Sequence, residues 1–158
     1  MELYLMRHGE AEAGYPDAAR RLTADGAEAV ARVAARAAAA GVRLDHVYHS
    51  GLTRAEQSAA LLGAPLGAAE VAAREGLAPN DPVAPVVRWL LDPAVLDGAG
   101  GIALVSHLPF LDGLAARLLA GQEDAQIIAF APALLVKLVP KHTRAGYRLV
   151  WALAPEVA

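Results

Sequence analysis

Apolar positions fall into two kinds of run that alternate along the chain. Residues 2–6 form a short apolar stretch of strand formers that stops at the polar step Arg7-His8-Gly9. Residues 14–21, with Pro16 and Asp17, read as loop. Thr23 then caps a predicted helix running to about Ala40 and closed by Gly41, with Asp25 in its first turn, where the helix dipole favours a carboxylate. A second strand is predicted over residues 46–49, followed by Ser50-Gly51 and a helix to about Leu62. Residues 63–81 are broken by Pro65, Gly67, Gly76 and Pro79, which leaves room for one short strand and a long loop of active-site type. The spacing of Val83, Val86, Val87, Leu90 and Leu91 predicts a helix over residues 82–91. A turn at residues 98–101 leads into the fully apolar strand 102–105, of the kind buried in a parallel sheet. Ser106-His107 ends that strand, and Pro109 opens another helix to about Ala120. Two late strands, residues 134–139 and 147–153, flank a polar turn at 141–146 and are expected to pair as a hairpin. Strands alternating with helices imply an α/β protein: three layers, α/β/α, around a mostly parallel central sheet with helices on both faces. No repeat, low-complexity segment or linker interrupts the pattern, so residues 1–158 are expected to form a single domain.

Composition narrows this picture. The hydrophobic fraction is 56%, but alanine runs such as residues 37–40 favour helix and close packing rather than membrane. The longest nearly uninterrupted apolar stretch, residues 127–136, is too short to span a bilayer, carries Pro132, and is expected to be core. Glu2 beside Met1 and Arg7 soon after do not fit the basic start and apolar middle of a signal peptide. With no cysteine, disulfides are excluded, and a cytoplasmic location is the expectation. A net charge of -3 argues against a general nucleic-acid binder, whose affinity rests on neutralising phosphates. One small positive pocket remains compatible with it.

Ligands of open α/β sheets bind at the carboxyl ends of the strands. Three predicted ends carry polar residues: Arg7-His8, Ser50 with nearby Arg54, and His107. Two imidazoles and two guanidinium groups in one pocket suit a tetrahedral dianion better than a cation or carboxylate chemistry. Arginine offers paired hydrogen bonds to phosphoryl oxygens, and histidine can serve as nucleophile or charge stabiliser. Singly, each has a plainer reading: His8 as a packing residue, His107 as a strand terminator, Arg54 as a solvated helix arginine beside Glu56. Arg20 stands evenly between substrate contact and surface charge. His46 and His49 are separated by an odd number on a strand, so their side chains point to opposite faces and a shared metal is not expected. His142 is expected at a solvated hairpin tip, and Trp89 and Trp151 in or beside the core.

Four ordered blocks then carry a resemblance. They are Leu5-Met6-Arg7-His8-Gly9-Glu10-Ala11, Arg20-Arg21-Leu22-Thr23-Ala24-Asp25-Gly26, Ser50-Gly51-Leu52-Thr53-Arg54-Ala55-Glu56-Gln57-Ser58 and Val105-Ser106-His107-Leu108-Pro109. In this order the chain resembles the histidine phosphatase (phosphoglycerate mutase-like) superfamily, and within it the short bacterial SixA-type phosphohistidine phosphatases. The resemblance implies that His8 is a nucleophile that becomes transiently phosphorylated, with Arg7, Arg54 and His107 forming the phosphate pocket and Arg20 adding a further contact. It implies a reaction needing no metal and no cofactor. Neighbouring arginines are expected to lower the His8 pKa and keep the ring neutral. For the general acid the loop offers Asp81, in Leu77-Ala78-Pro79-Asn80-Asp81, which resembles the family's Leu-Thr-Pro-x-x-Asp loop, and Glu75. Compact loops and a thinly matched acid favour phosphohistidine on a signalling phosphotransfer protein as substrate. The alternatives are a small phosphorylated metabolite handled by a phosphomonoesterase or mutase, and a non-catalytic phosphate-binding module. A monomer acting on neither nucleic acid nor membrane is expected.

Overall fold

A computed structural model describes residues 1–98 and 100–158. The turn expected at residues 98–101 lies partly outside these, at Ala99. Six strands form one mixed sheet: β1 (Glu2–Arg7), β2 (His46–His49), β3 (Glu70–Ala73), β4 (Gly101–Ser106), β5 (Leu135–Pro140) and β6 (Tyr147–Leu153), in the order β3-β2-β4-β1-β5-β6. The first four run parallel to one another; β5 pairs antiparallel with β1, and β6 antiparallel with β5. The expected hairpin and mostly parallel sheet are therefore present.

Alternation along each strand divides the core in two. Leu3 and Leu5 of β1, Leu104 of β4, and Val136 and Leu138 of β5 face one side. There they meet α3 (Ala84–Leu90), the short α4 (Pro93–Leu96) and α5 (Phe110–Ala120). Tyr4, Met6, Ala103, Val105 and Leu135 face the other side, against α1 (Ala24–Ala39) and α2 (Thr53–Leu66). Helices thus cover both faces, as the pattern predicts. Trp89 and Trp151 sit at the edges of these two clusters. Among the described residues no helix is long and apolar enough to cross a membrane.

Three elements differ from expectation. Helix α2 runs four residues past Leu62, through Gly63 and Pro65. Gly63 lets it lie directly on β3, since a Cβ there would come within 2.8 Å of Val71. Pro65 is tolerated because it sits in the last turn, before Gly67 closes the helix at a φ of 74°. Helix α4, a single turn capped by the Asp92 side chain, was too short to show a period. Within the apolar stretch 127–136, Phe130 and residues 133–136 are buried but Ile127 is 45% exposed, so only its later part is core.

Helix α1 matters most for the site because its start is seated on the backbone after His8. Thr23 Oγ1 accepts from the Gly26 amide, capping the helix as expected, while the Thr23 amide donates to the Glu10 carbonyl. A Cβ at Gly26 would stand 2.1 Å from the Glu10 oxygen, and one at Gly9 would stand 2.7 Å from the Gly26 oxygen. Neither backbone can retreat without moving the Arg7-His8 step. Gly26→Ala is therefore expected to destabilise the protein by about 3 kcal/mol, the upper part of the overpacking range, and to lower activity with it. Urea unfolding of the variant beside the wild type measures the first effect.

Candidate active site

In the strand order β2-β4-β1 the carboxyl ends of three adjacent parallel strands lie together. They deliver Arg7-His8, His107 and Ser50 to one rim, while the first turn of α2 delivers Arg54. The His8 and His107 rings stand 4.8 Å apart between centroids, inclined at 52°. The backbone holding His8 is fixed from several sides. Its amide donates to the Ser106 carbonyl, and the Gly9 amide donates to Ser58 Oγ at 3.0 Å. Ser58, fully buried on α2, donates in turn to the Arg54 carbonyl at 2.7 Å. The loop before β5 closes the other side, where the Ala133 amide donates to the Arg7 and His8 carbonyls.

The His8 side chain has a defined tautomer. Its Nδ1 lies 2.6 Å from the Gly9 carbonyl oxygen, which can only accept, so Nδ1 carries the proton and Nε2 keeps its lone pair. The His8 pKa is pushed down to about 4, first by burial and then by Arg54, Arg7 and Arg20, with the Gly9 hydrogen bond opposing. The arginines act in the expected direction but rank behind desolvation. His107, only 2% exposed, is pushed down to about 3 by burial, then by His8, Arg54 and Arg7, against the pull of Asp17.

The arginines are positioned by oxygens. Arg7 Nη1 donates to the Phe130 carbonyl at 2.8 Å, while its buried Nε has no partner. Arg54, 5% exposed, donates through Nη1 to the Asp17 carbonyl at 2.9 Å and through Nη2 to the Asp17 carboxylate at 3.1 Å. Arg20 meets the other oxygen of the same carboxylate at 3.0 Å and the Glu12 carbonyl at 2.6 Å. Asp17 therefore ties Arg20 to Arg54, and the two arginines hold its carboxyl below the usual range. The residues expected to gather, Arg7, His8, Arg54 and His107, do so, and Arg20 joins them through Asp17.

The two carboxylates offered as alternatives for the acid, Asp81 and Glu75, make no hydrogen bond to either imidazole among the described residues. Asp81 is engaged locally, its carboxylate accepting from the Ala78 amide at 2.8 Å to close the turn after Leu77. Glu75 is exposed. The carboxylates coupled to the pocket are Asp17 and Asp112. Asp112 sits in the first turn of α5, where burial raises its pKa and the charge of Arg7 opposes the rise. Neither stands in one of the four sequence blocks, and Asp17 is marked in the sequence only by its place in a loop. His46 pairs with Glu70, while His49 accepts from the Gly51 amide, so the two do not converge. His142 is exposed at the β5–β6 turn.

Two neutral imidazoles make a distinct acid signature. In the unfolded chain both take up a proton near pH 6.5, but in the folded protein only near pH 4 and pH 3. Between those limits the unfolded state binds more protons, so stability is fully present above pH 6.5 and is lost as the pH falls toward 4. Melting temperature is expected to drop over that window more steeply in the wild type than in His8→Gln. The acid limb of kcat/KM is expected near pH 4 rather than 6.5, because His8 stays unprotonated until then.

A strand-end histidine made neutral, fixed in one tautomer and faced by arginines and a second histidine is the arrangement of one class of phosphoryl-transfer protein. The chain belongs to the histidine phosphatase superfamily (branch 1), whose family model matches residues 3–81. That stretch holds Arg7, His8, Arg20 and Arg54. Among solved structures it is similar to the protein histidine phosphatase SixA complexed with tungstate, at 24% identity and a TM-score of 0.86, with 98% of this chain and 97% of that one covered. It is also similar to the alpha-ribazole phosphatase of Shigella flexneri (18% identity, TM-score 0.76, 98% and 97% covered). A third likeness is to a mycobacterial glucosyl-3-phosphoglycerate phosphatase in complex with inorganic phosphate (19% identity, TM-score 0.75, 99% of each chain covered). At these identities the likeness establishes the phosphoglycerate mutase-like fold. No curated protein sequence matches the chain.

Proposed function

We propose that this protein is a phosphatase working through a phosphohistidine intermediate on His8, and that its substrate is phosphohistidine on a phosphotransfer protein. The observation that carries the reading is the His8 ring itself. Its Nδ1–H is committed to the Gly9 carbonyl, which leaves a neutral Nε2 lone pair within a cluster of Arg7, Arg54, Arg20 and His107. In the first step Nε2 forms a bond to phosphorus as the bond from phosphorus to the leaving group breaks; the leaving group takes up a proton. In the second, water attacks the phosphorylated His8, releasing inorganic phosphate and returning the ring to its starting state. Arginines on the equatorial oxygens and in-line positioning provide most of the acceleration.

The narrower substrate class rests on the leaving group. An alkoxide leaving from a phosphate ester gains greatly from a positioned acid, whereas an imidazole leaving from phosphohistidine depends on one far less. Of the two loop carboxylates, Asp81 accepts from the Ala78 amide of its own turn and Glu75 is exposed, which favours the less acid-dependent substrate. Incubation with a phosphohistidine-bearing phosphotransfer domain and, in parallel, with p-nitrophenyl phosphate tests the reading. Release of phosphate from the first at a much higher kcat/KM is expected. Efficient ester hydrolysis with inert phosphohistidine would instead favour a small-metabolite phosphatase, and no turnover of either would overturn the enzymatic reading.

A further inference from the structure

The hydrogen bond between Ser50 and His107 has a consequence for the chemistry beside His8. Ser50 Oγ lies 2.6 Å from His107 Nε2, and the Leu52 amide donates to the same hydroxyl at 3.3 Å. A serine hydroxyl has one proton to give and two lone pairs to receive. With the Leu52 amide directed at a lone pair, the hydroxyl proton is free for the imidazole, and at 2.6 Å that proton lies between Oγ and Nε2. Nε2 then accepts, and a neutral ring that accepts at Nε2 carries its own proton on Nδ1. Nδ1 is buried and without a partner, in a ring packed against His8. The opposite arrangement aims two donors at one hydroxyl, leaves the hydroxyl proton unplaced, and buries a bare Nδ1 lone pair beside a site built for anions.

We propose that Ser50 is a positioning residue that holds His107 in the Nδ1–H tautomer, so that the imidazole facing His8 offers a proton, not a lone pair, to the transferring phosphoryl group. The use of that proton rests on the phosphoryl-transfer reading above; the tautomer does not. Among the described residues Nδ1 is buried and meets no acceptor. A donor left unpaired beside Arg7, Arg54 and His8 favours an oxygen-rich anion that can reach it, and this makes His107 a selector for such a group. Arg54 and Arg7, both acting on His107, supply the positive surroundings for such a group.

Long-range nitrogen–proton NMR of the ligand-free protein at pH 7 reads the tautomer directly. The expected spectrum shows His107 protonated on Nδ1 in the wild type, and mixed or Nε2-protonated in Ser50→Ala. Inorganic phosphate should bind Ser50→Ala about ten- to a hundredfold more weakly, the scale on which other hydrogen-bond partners that orient histidines act. Ser50→Thr, which restores the hydroxyl, should recover both tautomer and affinity. An Nε2-protonated His107 in the wild type would overturn the proposal, as would a Ser50→Ala variant that keeps both the tautomer and the phosphate affinity. Both readouts are taken without turnover, so a wild-type protein inert toward every phosphorylated substrate would sink the activity and leave the tautomer result standing.

Discussion

His8→Ala is expected to reduce turnover by at least about a thousandfold, since nothing else in the pocket can form the covalent intermediate that divides the reaction into two easier steps. The neighbouring nucleophile candidate, His107, is committed through Nε2 to Ser50, and its other nitrogen is buried. The fold should survive the change. Among the described residues the His8 side chain hydrogen-bonds only the adjacent Gly9 carbonyl, and the backbone contacts that shape the turn run through main-chain atoms and Ser58. Steady-state rates together with tungstate binding separate the two effects: rate is lost, while Arg7, Arg54 and His107 still hold the anion. A variant retaining a tenth of wild-type turnover would remove His8 from the nucleophilic role.

The second large effect is expected at Arg54. Arg54→Lys keeps the charge but loses the planar fork that reaches the Asp17 carbonyl and carboxylate and still has donors left for a phosphoryl group. A fall in kcat/KM of about 10²–10³ is predicted, the scale for removing one preorganised donor aimed at developing charge. Because Arg20 is tied to the same Asp17 carboxylate, its orientation should loosen in the variant as well. Kinetics on whichever phosphorylated substrate the wild type turns over measure the change, and a loss under tenfold would mean that Arg54 contributes charge without geometry.

Much of this site could be read from sequence for a specific physical reason. A parallel sheet gathers the carboxyl ends of its strands at one edge, so polar residues just after Met6, His49 and Val105 had a common destination before any topology was known. The structure adds the strand order β2-β4-β1, which turns a shared edge into a shared pocket. The partners that tune the pocket were not readable. Asp17 is an exposed carboxylate at the start of a short 3-10 turn, its partner Arg54 lies 37 positions away, and Ser50 meets His107 across 57. Neither pairing follows from local pattern. Asp81 illustrates the converse: a carboxylate in a family-like loop that spends its oxygen on the Ala78 amide of its own turn. Element ends blurred where glycine or proline serves packing rather than termination, as at Gly63 and Pro65 of α2. The exposed Ile127 shows that an apolar run marks core only where the backbone returns to the sheet.

The most direct test of the central claim is to trap the intermediate. The protein is mixed with a phosphorylated substrate, quenched in alkali, where phosphohistidine persists, and the phosphoryl group is mapped by mass spectrometry of its peptides. A single acid-labile phosphate on the peptide containing His8, absent from His8→Ala, is the predicted result. A phosphoryl group on any other residue, or one that persists in the His8→Ala protein, would contradict it.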